Sequence, residues 1–278
     1  EQVPEPTLGE RDLLVDVHAS SVNPVDAKIR SGGQRALIHY ALPWTLGLDF
    51  SGVVKAVGAR VTRFRVGDEV YGSPTHRRPG CYAERVTVDE RQAARKPKNL
   101  SHHEAAAIPL VGLTAWGALV AQGRLRAGQK ALIHAGSGGV GTFAIQLAKD
   151  LGAHVATTCS ARNVELVKSL GADEVIDYGE TKFEEVLRDY DFVLDAIGGE
   201  TRERSIRILK RGGHLATMIG GFPEAVKKHG ALLGPPRAAF GLVSLTLRGV
   251  LVHGIAVHHV LRESDGRILG AITKRIEA

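Results

Sequence analysis

Apolar positions along this chain keep two different rhythms. Up to about residue 100 they fall in short runs: Leu13 to Ala19, Val53 to Val57, Glu69 to Gly72 and Tyr82 to Val88 read as strands, separated by Gly58, Gly67-Asp68 and the Pro79-Gly80 turn. Ser21-Val22-Asn23-Pro24-Val25-Asp26-Ala27-Lys28 is a polar, proline-fixed turn leading into a short helix. This half reads as a small β-rich domain. At Ser101-His102-His103-Glu104 the texture changes to capping-box spacing, followed by helical patterns at 105–107 and 113–120, so a domain boundary belongs here. Beyond it, strands at 131–133, 154–158, 174–177, 192–196, 214–219 and 250–256 alternate with helical stretches, the rhythm of a doubly wound parallel sheet in an α/β fold. The apolar segment Leu245 to Val257 is expected to close that set as an edge strand, a kind of edge that tends to pair with a copy of itself into a homodimer.

One stretch organises the second half. The run Ala131-Leu132-Ile133 ends at Gly136-Ser137-Gly138-Gly139-Val140-Gly141, and Val140, Phe143, Ala144, Leu147, Ala148 and Leu151 then recur on one helical face until Gly152 stops the helix. Strand, glycine turn, helix and second strand in that order read as a dinucleotide site: Gly136 for the tight turn, Gly138 for approach to a pyrophosphate, Gly141 for close helix packing. The second strand, His154 to Thr158, bears on which dinucleotide. An acid about 20 residues past the first glycine would bind a ribose 2′-OH and repel a 2′-phosphate. No Asp or Glu occurs from Ala153 to Val164, while Ser160 and Arg162 stand where a phosphate would arrive, so NADP(H) is favoured over NAD(H). Arg162 has the plainer alternative of a solvated residue at a helix start. Ala196-Ile197-Gly198-Gly199 and Ile219-Gly220-Gly221 close strands at their carboxyl ends, where ligands bind in open α/β sheets.

Composition narrows the class. With 44% hydrophobic and 24% charged residues the chain is globular, and no apolar run approaches the ~18 residues that span a bilayer. The net charge of +6 is scattered, with no basic tail or interleaved aromatic platform, which argues against nucleic acid. Two cysteines, Cys81 and Cys159, make no disulfide framework and suggest a reducing compartment: the cytoplasm, or the mitochondrial matrix if a targeting segment has been removed.

The motifs 21–26, Gly47-Leu48-Asp49-Phe50-Ser51-Gly52-Val53-Val54, Val66-Gly67-Asp68-Glu69-Val70-Tyr71-Gly72, Tyr82-Ala83-Glu84, Gly112-Leu113-Thr114-Ala115, Gly136 to Gly141, Leu170-Gly171-Ala172-Asp173 and Val175-Ile176-Asp177-Tyr178 together resemble the zinc-independent quinone oxidoreductases and enone reductases of the medium-chain dehydrogenase/reductase superfamily. The resemblance implies a GroES-like catalytic domain at 1–108 completed by 257–278, a Rossmann domain at 109–256, NADPH, and hydride transfer to quinones or α,β-unsaturated carbonyls. It implies further chain before Glu1 and after Ala278. Zinc-bearing cousins place ligands at positions held here by Asn23, Leu48-Asp49 and a segment with only Cys81, so no metal is expected. The adjacent pairs His102-His103 and His258-His259 read as solvated or core residues, since neighbours on a strand point to opposite faces.

Without zinc, the developing enolate charge needs another donor, and the candidates are Asn23 and Lys28. Lys28 matches a lysine that faces the substrate carbonyl in plant enone reductases, against the alternative of a solvated charge. Asp26 either orients Lys28 or caps the turn. By resemblance Tyr82 lines the site, with a core aromatic as the alternative; Thr114 touches the nicotinamide carboxamide or is a plain N-cap; Tyr178 packs by the adenosine phosphate; and Ile197, Gly198, Ile219 and Gly220 border the nicotinamide. Two functions stay open: an NADPH-dependent reductase of a small quinone or enone, and a catalytically weak NADPH-binding protein acting in redox sensing or interaction.

Overall fold

The computed structural model describes residues 2–32, 42–218 and 222–278, so Ile219 and Gly220 lie outside the described residues. In chain order the strands and helices are β1 (Asp12–Ala19), α1 (Pro24–Arg30), β2 (Phe50–Val57), β3 (Glu69–Gly72), β4 (Arg85–Asp89), β5 (Ala93–Arg95), α2 (His102–Ala106), α3 (Pro109–Trp116), β6 (Lys130–Ile133), α4 (Gly139–Asp150), β7 (His154–Cys159), α5 (Val164–Ser169), β8 (Glu174–Asp177), α6 (Phe183–Val186), β9 (Tyr190–Asp195), α7 (Gly199–Ile208), β10 (Leu209–Thr217), α8 (Phe222–Arg248), β11 (Ala256–His259) and α9 (Gly266–Ile276). They form two compact units, one of residues 1–113 with 263–278 and one of 114–262.

The first unit holds an antiparallel five-stranded sheet in the order β4-β1-β2-β3-β5. Alternate residues of its strands, Leu13 and Val15, Phe50 and Val54, Val86 and Val88, share one core, as period-2 patterning requires. The Tyr71 hydroxyl donates to the Leu269 carbonyl at 2.9 Å and so ties α9 to β3.

The second unit holds a parallel six-stranded sheet in the order β11-β10-β9-β6-β7-β8. Numbered within the unit, this is the 3-2-1-4-5-6 order of a dinucleotide-binding fold read from its far edge, with the crossover point between β6 and β9. Its strands are apolar on both faces because helices cover both: Ala131, Ile133, Val155, Phe192 and Leu194 enter one core, while Leu132, Ala156, Val193 and Leu215 enter the other. Gly152 adopts φ +78° just after α4, as a helix-terminating glycine does. Ser101 Oγ accepts from Glu104 N at 3.3 Å while Glu104 accepts from Ser101 N at 2.8 Å, completing the expected capping box.

Three expectations are corrected. The segment 245–257 is not a strand: α8 runs to Arg248, a wide helical turn occupies Gly249–His253, and only Ala256–His259 extends the sheet. Leu245 belongs to the buried face of α8, which is apolar on its outer face as well, and such a double-faced helix imitates a buried strand. The Tyr82–Val88 strand begins only at Arg85. Thr114 is the sixth residue of α3 and is buried, so it is not the N-cap of a helix; α3 starts at Pro109, whose missing N–H costs nothing in a first turn.

Candidate functional site

At the end of β6 the chain turns through His134 and Ala135 into Gly136. The positive φ sits on Ala135, at +54°, not on Gly136. Gly136 is required for space instead: a Cβ there would lie 2.0 Å from Thr157 Oγ1. Gly141 is required for the same reason, its Cβ falling 2.2 Å from the Ala135 carbonyl oxygen. Gly138 differs, since its Cβ would meet only the Ala135 oxygen at 3.2 Å. A Cβ at Gly138 is thus crowded by one backbone oxygen that need move only a few tenths of an ångström, a milder demand than at Gly136 or Gly141. Gly138 is also the N-cap of α4, without a side-chain cap, and no acid lies in the first turn. The amides of Gly139, Val140 and Gly141 have no acceptor within the helix and sit at its positive end, an arrangement that can hold an anion.

Across the end of β7, Asn163 links two predicted residues. Its Nδ2 donates to Ser137 Oγ at 3.0 Å and to Ser160 Oγ at 3.3 Å. Sequence reasoning passed over Asn163; the Ser160-x-x-Asn163 spacing was its only trace. Arg162 is exposed in the same turn, and Tyr178, 68% exposed, is anchored through its N–H to the Cys159 carbonyl at 3.1 Å. The sheet also sets Asp177 opposite Cys159, an acid that the gap from Ala153 to Val164 does not reveal. The Asp177 carboxylate turns into its own loop, where Oδ1 accepts from Gly179 N at 3.0 Å. Burial, with Asp177 beside it, pushes the Cys159 thiol pKa up.

On the other side of the crossover, Asp195 ends β9. It is wholly buried, and its Oδ1 accepts from the amides of Ile197 at 3.1 Å and Gly198 at 2.7 Å, while Oδ2 accepts from Thr217 Oγ1 at 2.8 Å. One carboxylate thus shapes the Ile197-Gly198 loop, where Gly198 and Gly199 take φ of +78° and +56°, and joins it to β10. His134 lies beneath the turn. Ser205 Oγ donates to the Thr201 carbonyl, so it accepts from His134 Nε2–H at 2.9 Å, and Nδ1 then accepts from Thr158 Oγ1 at 3.0 Å; the network assigns this tautomer. Burial drives the His134 pKa down to about 4, so the ring is neutral at physiological pH.

In the first unit, two buried carboxylates organise the start of α1. Asp49 Oδ2 accepts from Ser21 Oγ and from Asn23 Nδ2, both at 2.7 Å, and its Oδ1 accepts from Leu110 N at 2.7 Å. Asp26 Oδ2 accepts from Asn23 N at 2.9 Å and from the Tyr82 hydroxyl at 2.8 Å. Asp26 therefore caps the helix and holds Tyr82. It does not orient Lys28, which lies about 200° around the helix, is exposed, and makes no ion pair among the described residues. The Asn23 amide is committed to Asp49. Burial and the Asp26 carboxylate push the Tyr82 phenol pKa up, so it keeps its proton. Gly47, at φ +100°, lets that ring approach: a Cβ would lie 2.6 Å from Tyr82 Cδ1. The positions that bear zinc ligands in cousins hold the Asn23–Asp49 pair, core Leu48 and the buried thiol Cys81. Among the described residues no group of three or more His, Cys, Asp or Glu could hold a metal.

A parallel sheet in this order, with an uncapped glycine turn at its crossover and a separate antiparallel β unit, defines an alcohol-dehydrogenase-like chain with the strand order of a dinucleotide-binding fold. Residues 9–98 match the alcohol dehydrogenase GroES-like domain and residues 139–264 match the zinc-binding dehydrogenase family. The chain is similar to the mitochondrial NAD(P)H oxidoreductase RTN4IP1 of Mus musculus, 43% identical over 232 residues that cover 76% of this chain and 59% of the relative. The 2-methylene-furan-3-one reductase of Solanum lycopersicum is 39% identical over 242 residues, covering 82% and 61%. The solved structure of the quinone oxidoreductase from Coxiella burnetii superposes with a TM-score of 0.81 at 32% identity, over 99% of this chain and 81% of its own. The chain belongs to the medium-chain dehydrogenase/reductase superfamily, among its quinone oxidoreductase-like members. It spans about three fifths of the length of the two curated relatives, 59% and 61%.

Proposed function

We propose that the chain is an NADPH-dependent oxidoreductase that reduces quinones or α,β-unsaturated carbonyls and needs no zinc. The observation that carries this reading is the bare, uncapped turn at Gly138, flanked by Ser137 and Ser160 on a shared Asn163 and by exposed Arg162. The amides at the start of α4 would hold the pyrophosphate, Ser160 and Arg162 the 2′-phosphate, and Tyr178 the adenosine side. Thr114, Ile197 and Gly198, with Ile219 and Gly220, would border the nicotinamide. When bound, that cofactor supplies the hydride.

The rest falls to side chains of the first unit. Lys28 offers an ammonium to the acceptor oxygen, where charge develops as the carbonyl becomes an enolate. Asn23 acts through structure: bound to Asp49, it fixes the start of the helix that carries Lys28. Tyr82, its proton directed at Asp26, forms a wall that presents oxygen lone pairs. The names of the relatives, an NAD(P)H oxidoreductase and a 2-methylene-furan-3-one reductase, support the reaction class. We place the protein in a reducing compartment, with both cysteines buried free thiols, and expect a homodimer joined through the β11 edge. A panel of quinones and enones, with NADPH and NADH oxidation as readout, tests the reading. Turnover of at least one acceptor with NADPH preferred is expected; NADPH bound with no turnover on any acceptor would favour the redox-sensing or interaction protein.

A further inference from the structure

The second half of α8 and the turn after it carry two apolar faces where a surface helix normally has one. Gly234, Ala238, Leu245 and Gly249 are buried on one arc. On the opposite arc Leu233, Phe240, Val243, Leu247, Val250 and Leu251 are all more than half exposed, Phe240 at 75% and Leu251 at 78%. At 100° per residue the four within α8, Leu233, Phe240, Val243 and Leu247, fall within an arc of about 80° and draw a stripe about 21 Å long, which Val250 and Leu251 continue in the wide turn. Contiguous apolar surface of this kind marks an interaction site.

Charge indicates the partner. From Ala225 to Arg262 the sequence has no Asp or Glu, yet it has Lys227, Lys228, Arg237, Arg248 and Arg262. Arg237 and Lys228 lie close enough to His229 that, with burial, they lower its pKa, and Lys228 and Arg237 are exposed. Arg248 pairs with Glu203 at 2.6 Å and Arg262 is engaged as well, so Lys228 and Arg237 are the cations that matter here. A second copy of this face would set like charges together with no acid from Ala225 to Arg262 to pair them. Exposed Arg237 within the helix and exposed Lys228, just before the break in α8 at Gly230, stand beside the apolar stripe, a pairing complementary to an anionic bilayer, into which such a helix sinks by part of its width. Among the described residues no helix is long and apolar enough to cross a membrane, so the helix would lie in the interface.

We infer that the outer face of α8 docks the protein on an anionic lipid bilayer, with Phe240, Val243, Leu247 and Leu251 in the acyl boundary and Arg237 and Lys228 at the headgroups. Docking does not depend on the proposed reductase activity, although a docked reductase would meet apolar acceptors dissolved in the same membrane.

Flotation of the full chain with vesicles of phosphatidylcholine, or of phosphatidylcholine with about 30% phosphatidylglycerol, tests this. We expect flotation with the anionic vesicles only, and release by about 0.5 M NaCl as the headgroup contacts are screened. The double variant Leu247→Glu/Leu251→Glu and the charge variant Arg237→Glu should each lower vesicle binding about tenfold or more while NADPH binding and circular dichroism stay as in wild type. Absence of wild-type flotation would overturn the inference, as would flotation unaffected by both variants. A wild-type dimer that Leu247→Glu/Leu251→Glu dissociates, with no vesicle binding, would assign the stripe to a second copy instead.

Discussion

Replacing Asp195 probes the loop that the proposed nicotinamide half would border. Asp195→Ala removes the acceptor of three hydrogen bonds, from Ile197 N, Gly198 N and Thr217 Oγ1. Ile197 is half exposed, so water can replace most of its bond; Gly198 is buried, and its N–H loses its acceptor outright. Leaving one buried amide and one buried hydroxyl short of the carboxylate costs about 1–3 kcal/mol each, for a sum of about 2–6 kcal/mol. Asp195→Asn keeps an oxygen toward both amides and turns an NH₂ to Thr217, whose hydroxyl can accept, so it should cost no more than about 1.5 kcal/mol. Urea unfolding followed by circular dichroism measures both, and NADPH affinity by fluorescence should fall in Asp195→Ala as the Gly198 turn, with φ +78°, loses its anchor. An alanine variant within about 1 kcal/mol of wild type would show that the three bonds do not hold the loop.

Four further outcomes are expected. Gly138→Ala, with its Cβ 3.2 Å from the Ala135 oxygen, should lower the melting temperature less than Gly136→Ala but weaken NADPH about tenfold or more, whereas Gly136→Ala, with its Cβ 2.0 Å from Thr157 Oγ1, should destabilise by about 1–3 kcal/mol or more; equal melting temperatures for the two variants would contradict the crowding argument. Arg162→Ala should remove about 1–3 kcal/mol of the preference for NADPH over NADH, and equal dissociation constants in wild type would defeat the 2′-phosphate assignment. His134 titrates near 6.5 when unfolded and near 4 when folded, so the unfolded chain binds the extra proton between these values. Its contribution, on the order of 3 kcal/mol, is therefore present above pH about 6.5 and lost as pH falls toward 4; comparing the stability–pH slope of wild type with that of His134→Gln checks it, and parallel slopes would count against it. Lys28→Met should lower kcat by about 10²–10³ on an enone with NADPH affinity kept, and an unchanged kcat on both an enone and a quinone would make Lys28 a surface charge.

The features legible from residue order alone lie between near neighbours in the chain. The β6–turn–α4 unit, the Ser101–Glu104 box and the Gly152 stop are each written within a single short stretch of chain, the longest from Lys130 to Asp150, and β-strand and helix periods differ enough to separate the two halves. The same locality misled at 245–257, where apolar residues on both faces of α8 erased the helical period, and it could not see β5, only three residues long. Tertiary structure decided the rest. Gly136 is needed because Thr157 packs on it, Asp177 stands beside Cys159 because β7 and β8 pair, and Asp195 reaches 22 residues along the chain to Thr217. Asn23, read as a donor to substrate, is spent on Asp49, 26 residues away. Residue types announce which hydrogen bonds can be made, but which partner is met depends on strand order and register, and those follow from burying two apolar faces of a sheet at once.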